Sequence, residues 1–289
     1  MTQRPQMTRE RLSPTWEVEA RDQFGDARAV HIAGESPLTL IVDGRELVTL
    51  MTLGTYPEEL AIGYLRNQRL IEDIAAIESV RVDWERETAD IRLRPGCAVS
   101  DWEEKLAKRT VTSGCGQGTI FSCTLDKLYD RRLPDAEVRQ AVIYELLREI
   151  ARHNEIYKRA GAVHGCALCR GSEILMFVED VGRHNAADAV AGMMWLEGLD
   201  GADKIFYTTG RLTSEIVMKT ATMGIPTLLS RSGITNAGLE FARDLNITML
   251  ARAKGRSFLA YHGADKVIYD AKPPKPPKPP PAPPKPQVD

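Results

Sequence analysis

Three turns in the second half of the chain share one chemistry. Glu179-Asp180-Val181-Gly182-Arg183-His184-Asn185, Thr208-Thr209-Gly210-Arg211 and Ser230-Arg231-Ser232-Gly233 each combine a glycine, an arginine and hydroxyl or amide groups. Each stands between an apolar run and a helical pattern. Glycine lets backbone approach a ligand closely. A helix N-terminus offers free N–H donors and the positive end of a dipole. Arginine forks onto phosphate oxygens. One such turn is ordinary turn chemistry, with Gly as turn residue, Ser or Thr as cap and Arg as surface charge. Three in succession point to a phosphate-rich ligand held by Arg183, Arg211 and Ser232 at strand ends, where α/β sheets bind ligands.

A second chemistry resides in the cysteines. The stretch TSGCGQGTIFSC, Thr112 to Cys123, sets Cys115 between Gly114 and Gly116 with no helical or strand period. A thiol so little covered can reach one partner and turn to another, which suits a nucleophile or group carrier. Cys166 and Cys169 form a Cys-x-x-Cys pair behind His164. Such a pair can ligate zinc or cycle as a dithiol. A structural zinc site needs four ligands, and no second pair stands in the sequence. Zinc deaminases use His-x-Glu and Pro-Cys-x-x-Cys; here the Glu and the Pro are both missing. Two small thiols buried at a helix start are the expectation, and no metal is predicted. Cys97, after Pro95-Gly96, has no visible partner.

The elements that must position these residues follow from periodicity. SPLTLIVDGRELVTLM alternates around Asp43-Gly44, a strong hairpin signal. YPEELAIGYLRNQRLI has helical period with Pro57 near its first turn. IESVRVDWERETADIRLRP reads as a second hairpin. Asp135 to Arg159 reads as one long amphipathic helix that starts at Pro134-Asp135. Strands and helices then alternate: EILMFVED and VGRHNAADAVAGMMWLEG, KIFYTTG and RLTSEIVMKTATMG, PTLLSRS and GITNAGLEFARDLN, with ITMLARAKG and SFLAYHG to close. Repeated β-then-α units with apolar strands predict an α/β layer fold. The organisation expected is an N-terminal extension over 1–28, a smaller β-rich subdomain over 29–110, a flexible cysteine loop over 111–124, an α/β core over 125–265 and a Lys/Pro-rich tail over 266–289.

Composition bounds the class. The chain has 289 residues, 43% of them apolar, enough for one large domain or two small ones. A net charge of −2 marks neither a nucleic-acid nor a membrane binder. The start is charged and has no apolar core of a signal peptide, and no apolar run has the length of a membrane span. A cytoplasmic protein with reduced thiols is expected, since five irregularly spaced cysteines make no disulfide framework. The last nineteen residues, AKPPKPPKPPPAPPKPQVD, should be extended, solvated polyproline II, either a disordered solubilising tail or a docking segment.

In order along the chain, ESPLTLIVDGRELVTLMTLGTYPEELAIGYL, the Cys115 loop, AGAVHGCAL, FVEDVGRHNAADAVAG, TTGRLTSEIVMKTATMGIP and the closing strand ending at Tyr261 resemble the formate dehydrogenase accessory sulfur carriers, the FdhD/NarQ family. The resemblance covers about residues 30 to 263. It implies a cytidine-deaminase-like core with an N-terminal subdomain, as a homodimer. It implies a sulfurtransferase that accepts persulfide sulfur from a cysteine desulfurase and passes it to the molybdenum bis-molybdopterin guanine dinucleotide cofactor of formate dehydrogenase. Cys115 takes the place of the family's persulfide cysteine. The cofactor-contacting stretch falls on Arg252, Ala253, Lys254, Gly255, Arg256 and Ser257. Two departures stand out. Gly118 replaces the second thiol of the family's Cys-Gly-x-Cys loop, and Arg252-Ala253-Lys254 lacks the family's aromatic. Two other readings remain at this point, a zinc-dependent deaminase-type hydrolase and a non-catalytic chaperone of the cofactor.

Overall fold

The computed structural model describes residues 4–97 and 132–272 and, between them, two short paired strands. The Cys115 loop, Cys123 and the tail beyond Lys272 lie outside the described residues.

The N-terminal part is built from hairpins. A two-residue strand β1 (Gln6–Met7) precedes a ribbon of β2 (Thr15–Arg21) and β3 (Ala27–Ala33). Next come β4 (Ser36–Val42) and β5 (Arg45–Thr52), then α1 (Pro57–Asn67), β6 (Ile77–Asp83) and β7 (Thr88–Leu93). Asp43 and Gly44 both take positive φ, +48° and +80°, the turn that matches the twist of a two-residue hairpin. The strands form one sheet in the order β1-β6-β7-β4-β5. The alternation in TWEVEAR and ARAVHIA, read as a mere extension, is the β2–β3 ribbon.

The short strands β8 (Arg109–Thr112) and β9 (Gly118–Phe121) come next and pair antiparallel. Beyond them the expected long helix is divided. Val138–Arg139 forms β10, α2 runs Gln140–His153, and α3 runs Glu155–Ala160. The reason for the late start is distant: Asp270 accepts from Ala141 N at 3.0 Å and binds Arg139 at 2.6 Å. The division between the helices falls at Asn154, where ψ turns to +64°.

The core sheet contains β11 (His164–Arg170), β12 (Glu173–Asp180), β13 (Ile205–Thr208), β14 (Thr227–Ser230), β15 (Thr248–Lys254) and β16 (Ser257–His262). Its order is β12-β11-β13-β14-β15-β16, with β13, β14 and β15 mutually parallel. Helices α4 (Arg183–Leu196), α5 (Ser214–Thr222) and α6 (Asn236–Asp244) cover one face, and α2 covers the other. Right-handed crossovers place α5 and α6 on the same side. Residues 266–272, grouped by composition with the tail, continue the fold: β17 (Val267–Ile268) pairs with β10. This is a mixed α/β protein, and one apolar core runs from Leu38 and Ile91 through α1 and α4 to Phe206 and Met249.

Among the described residues no helix is long and apolar enough to cross a membrane.

Candidate functional site at the strand ends

The Cys-x-x-Cys pair lies on β11, not at a helix start. Side chains alternate along a strand, and three positions separate the two thiols. Cys166 therefore joins the core under α4, and Cys169 the core under α2. Facing opposite ways, they cannot share a metal ion or bond to each other. Both are fully buried, and burial pushes each thiol up to about 12. Small Cys, Ala and Leu residues buried on both faces leave no alternation in HGCALCR, which hid the strand. Cys97 is exposed.

The carboxyl ends of β12, β13, β14 and β15 gather along one edge with the start of β11. Ser230 Oγ donates to Gly210 O at 2.7 Å, and Ser232 N donates to Ser230 Oγ at 2.9 Å. Arg252 N donates to Ser232 O at 2.8 Å, with Arg252 at φ +51°. Three expected contributors, the Gly210 turn, Ser232 and Arg252, thus come together. Arg211, Arg231 and Arg252 are exposed along this rim. A cavity of about 290 Å³ opens between it and the junction of α2 with α3, lined by Asn154, Tyr157, His164, Thr209, Arg231 and Ser232 among others. His164 Nδ1 lies 3.3 Å from Thr209 Oγ1, and burial, aided by the Arg183 charge, holds its imidazole below the usual histidine range.

Arg183 departs from expectation. It is buried, and its stem packs on Gly210, where an added Cβ would come within 2.6 Å of Arg183 Cδ. The acids of its turn hold neighbours rather than a ligand. Glu179 accepts from Ile156 N and Tyr157 N at 2.9 Å each, capping α3. Asp180 accepts from Thr52 Oγ1 at 2.6 Å, Leu53 N at 3.0 Å, Gly182 N at 2.9 Å and Asn185 Nδ2 at 3.0 Å. It clamps the N-terminal sheet to the core.

The closing stretch is divided as well. Ala253 is buried beneath α2, while Lys254, Gly255, Arg256 and Ser257 form an exposed hairpin tip. Gly255 takes φ +59° there. Arg256 stacks over the Tyr144 ring, its Cζ 5.4 Å from the centroid, and donates to Lys272 O at 2.8 Å. Its guanidinium is turned toward α2 and away from Ser232.

The sequence reading missed a second cavity of about 280 Å³ on the other side of this edge, beneath the N-terminal sheet. Met51, Tyr64, His184, Asn185, Asp188, Glu215 and Lys219 line it with others. Lys219 Nζ lies 2.7 Å from Asp188 and 3.5 Å from Glu215, and His184 Nδ1 lies 3.3 Å from Glu215. Burial opposes the Lys219 charge, but the two carboxylates outweigh it and raise its pKa. Burial, with the Lys219 and Arg183 charges, drives His184 down to about 2. Its imidazole is neutral. The signal was the i, i+4 spacing of Glu215 and Lys219 and of His184 and Asp188 on two successive helices.

Fold and edge together define a mixed α/β protein with a basic, hydroxyl-rich rim suited to an anionic ligand. The description of the FdhD/NarQ family matches residues 33–268, and the chain belongs to that family. It is 31% identical over 241 residues to a sulfur carrier protein FdhD of Shouchella clausii, covering 82% of this chain and 89% of that one. It is 29% identical over 234 residues to the Bacillus subtilis protein of the same name, covering 81% and 88%. A crystal structure of a candidate formate dehydrogenase accessory protein from Desulfotalea psychrophila shares the fold, with a TM-score of 0.70 at 24% identity, over 88% of this chain and 98% of that one.

Proposed function

We propose that this protein is a sulfur carrier and sulfurtransferase. It accepts persulfide sulfur from a cysteine desulfurase on Cys115 and delivers it to a molybdenum bis-molybdopterin guanine dinucleotide cofactor destined for formate dehydrogenase. The observation that carries the reading is the family match across residues 33–268, with relatives named as sulfur carriers. The exposed Arg211, Arg231, Arg252 and Lys254 beside strand-end hydroxyls support a phosphate-bearing substrate. Cys166 and Cys169, buried on opposite faces, are unsuited to carrying sulfur, and the family resemblance points to Cys115 rather than to Cys97 or Cys123. A cytidine-deaminase-like description of the core, a homodimer, a cytoplasmic location and association with the formate dehydrogenase catalytic subunit belong to the same proposal. A mixed sheet with helices on both faces supports the first of these.

Gly118 in place of a second loop thiol favours one other reading, a chaperone that holds the cofactor without transferring sulfur. Incubation with a desulfurase and cysteine, then peptide mass mapping, separates the two. Sulfane sulfur on the Cys115 peptide, and loss of delivery in Cys115→Ala, is the expected result. Delivery intact in Cys115→Ala, with sulfur on Cys123, would overturn the assignment. No loading of any cysteine would favour the chaperone.

A further inference from the structure

The cavity of about 280 Å³ beneath the N-terminal sheet has no part in the proposed sulfur chemistry, yet its walls combine hydrogen-bond donors with acceptors. It lies at the N-terminus of α4, where Val181, Gly182, His184 and Asn185 line it. Gly182 caps that helix with no side chain to accept its first N–H groups. The helical ladder begins at Ala186 N, which donates to Gly182 O at 3.0 Å. His184 N and Asn185 N therefore have no acceptor among the described residues. Such donors, at the positive end of a helix of 14 residues, suit an anion. Lys219 adds a buried positive charge, and the charges of Arg183 and Arg211 also bear on the His184 ring.

One buried side chain in this cavity is an acceptor without a donor. His184 is 7% exposed, and no hydrogen bond reaches its ring among the described residues. Nδ1 is enclosed, 3.3 Å from Glu215 Oε1 but out of line for a hydrogen bond. Beside a carboxylate, the single proton of a neutral imidazole belongs on that nitrogen, which leaves the Nε2 lone pair for the cavity. Asp188 and Glu215, both held at Lys219, are acceptors as well. We infer that this cavity binds a phosphate group that still carries an O–H. The N–H groups of α4 and the Lys219 charge hold its ionised oxygens, and His184 Nε2 accepts from its hydroxyl. Sulfate, or the phosphates inside a dinucleotide, carry no O–H and would set an oxygen lone pair against that of Nε2. The rim differs, because its exposed arginines are donors only. Leu50, Met51 and Tyr64 also line the cavity and offer apolar wall to a short carbon chain. Free phosphate and a small phosphate monoester both have the required chemistry. The inference does not depend on the sulfur-carrier reading.

The test is calorimetric titration of the full chain at about pH 6, where a monoester keeps its O–H in part, its second pKa being about 6. The probes are inorganic phosphate, glycerol phosphate and sulfate at one ionic strength. At least one of the two phosphates should bind about tenfold or more tightly than sulfate, since a buried acceptor facing an anion with no donor is costly. This comparison needs no variant. Tighter binding of glycerol phosphate identifies the ligand as a monoester, and tighter binding of inorganic phosphate identifies it as the free ion. In His184→Gln, whose carboxamide can turn an N–H to the ligand, the preference over sulfate should shrink several-fold, with circular dichroism to check the fold. Equal affinities for phosphate and sulfate in the parent, or no binding of either phosphate, would overturn the inference. So would an affinity lost in Arg231→Ala together with unchanged discrimination in His184→Gln, because the ion then sits on the rim.

Discussion

Burial sorts the thiols and sets the pH response of the histidines. Cys166 and Cys169, pushed up to about 12 and fully buried, should resist iodoacetamide in the native protein at mildly alkaline pH. Exposed Cys97 should react at once, and the two buried thiols only in denaturant; mass spectrometry of the alkylated peptides checks this, and early modification of Cys166 would refute the packing of β11. His184 sits at about 2 in the fold against about 6.5 in an unfolded chain. The unfolded chain takes up this proton first. The stability that His184 contributes is therefore complete above about pH 6.5 and is lost as pH falls toward 2, by at most about 1.4 kcal/mol per pH unit. His164, also lowered, acts in the same direction. In His184→Gln the slope of stability against pH below about 6.5 should flatten relative to the parent. Urea unfolding across that range measures it, and equal slopes would mean that the imidazole is charged in the fold.

The N-terminal sheet meets the core where α1 and α4 cross, and two glycines make the crossing. A Cβ on Gly63 would stand 1.7 Å from Asp188 O, and one on Gly192 would stand 1.9 Å from Glu59 O. The backbones touch with no room for a methyl group. Gly63→Ala or Gly192→Ala should cost about 1–3 kcal/mol or more, since the helices must part. Gly233→Ala, where a methyl group meets open space, is the control, and equal chemical-denaturation midpoints for all three would refute the contact. Helical period and the Asp43-Gly44 turn were legible because both are local. The crossing glycines were not, because a helical glycine inside AIGYL or AVAGMM shows its reason only when the partner helix is in place. For the same reason β10 was invisible before its partner β17, and β11, buried on both faces, had no alternation to show. Of the candidate site, the gathering of Ser232 and the Gly210 turn followed from strand ends that carry like residues, while Arg252 was expected only from the family resemblance. The burial of Arg183 and Ala253 depended on neighbours that no short stretch contains.

The two sheets behave as one body if their shared core means what its contacts imply. Asp180 holds Thr52 and Leu53 across the junction. Asn67 donates to Asp188 at 2.7 Å, and Arg66 donates to Ala191 O at 2.8 Å while lying 5.3 Å over the Trp195 ring. Burial lowers the Arg66 guanidinium to about 10, so it stays charged at neutral pH. Neither half buries these groups alone: without the N-terminal sheet and α1, the buried Asp188 and Lys219 would face water on one side, and the apolar face of α4 would be bare. A chain of this length can unfold in steps, but a continuous core argues for a single cooperative transition. Urea unfolding followed by tryptophan fluorescence and by far-UV circular dichroism should give coincident midpoints. Asp180→Ala removes the acceptor of four buried or half-buried donors, each costing about 1–3 kcal/mol when left unpaired. It should move the shared midpoint down without dividing it. A first transition at low urea that is seen by fluorescence alone would show instead that the N-terminal sheet unfolds by itself, and the clamp at Asp180 would then join two separable parts.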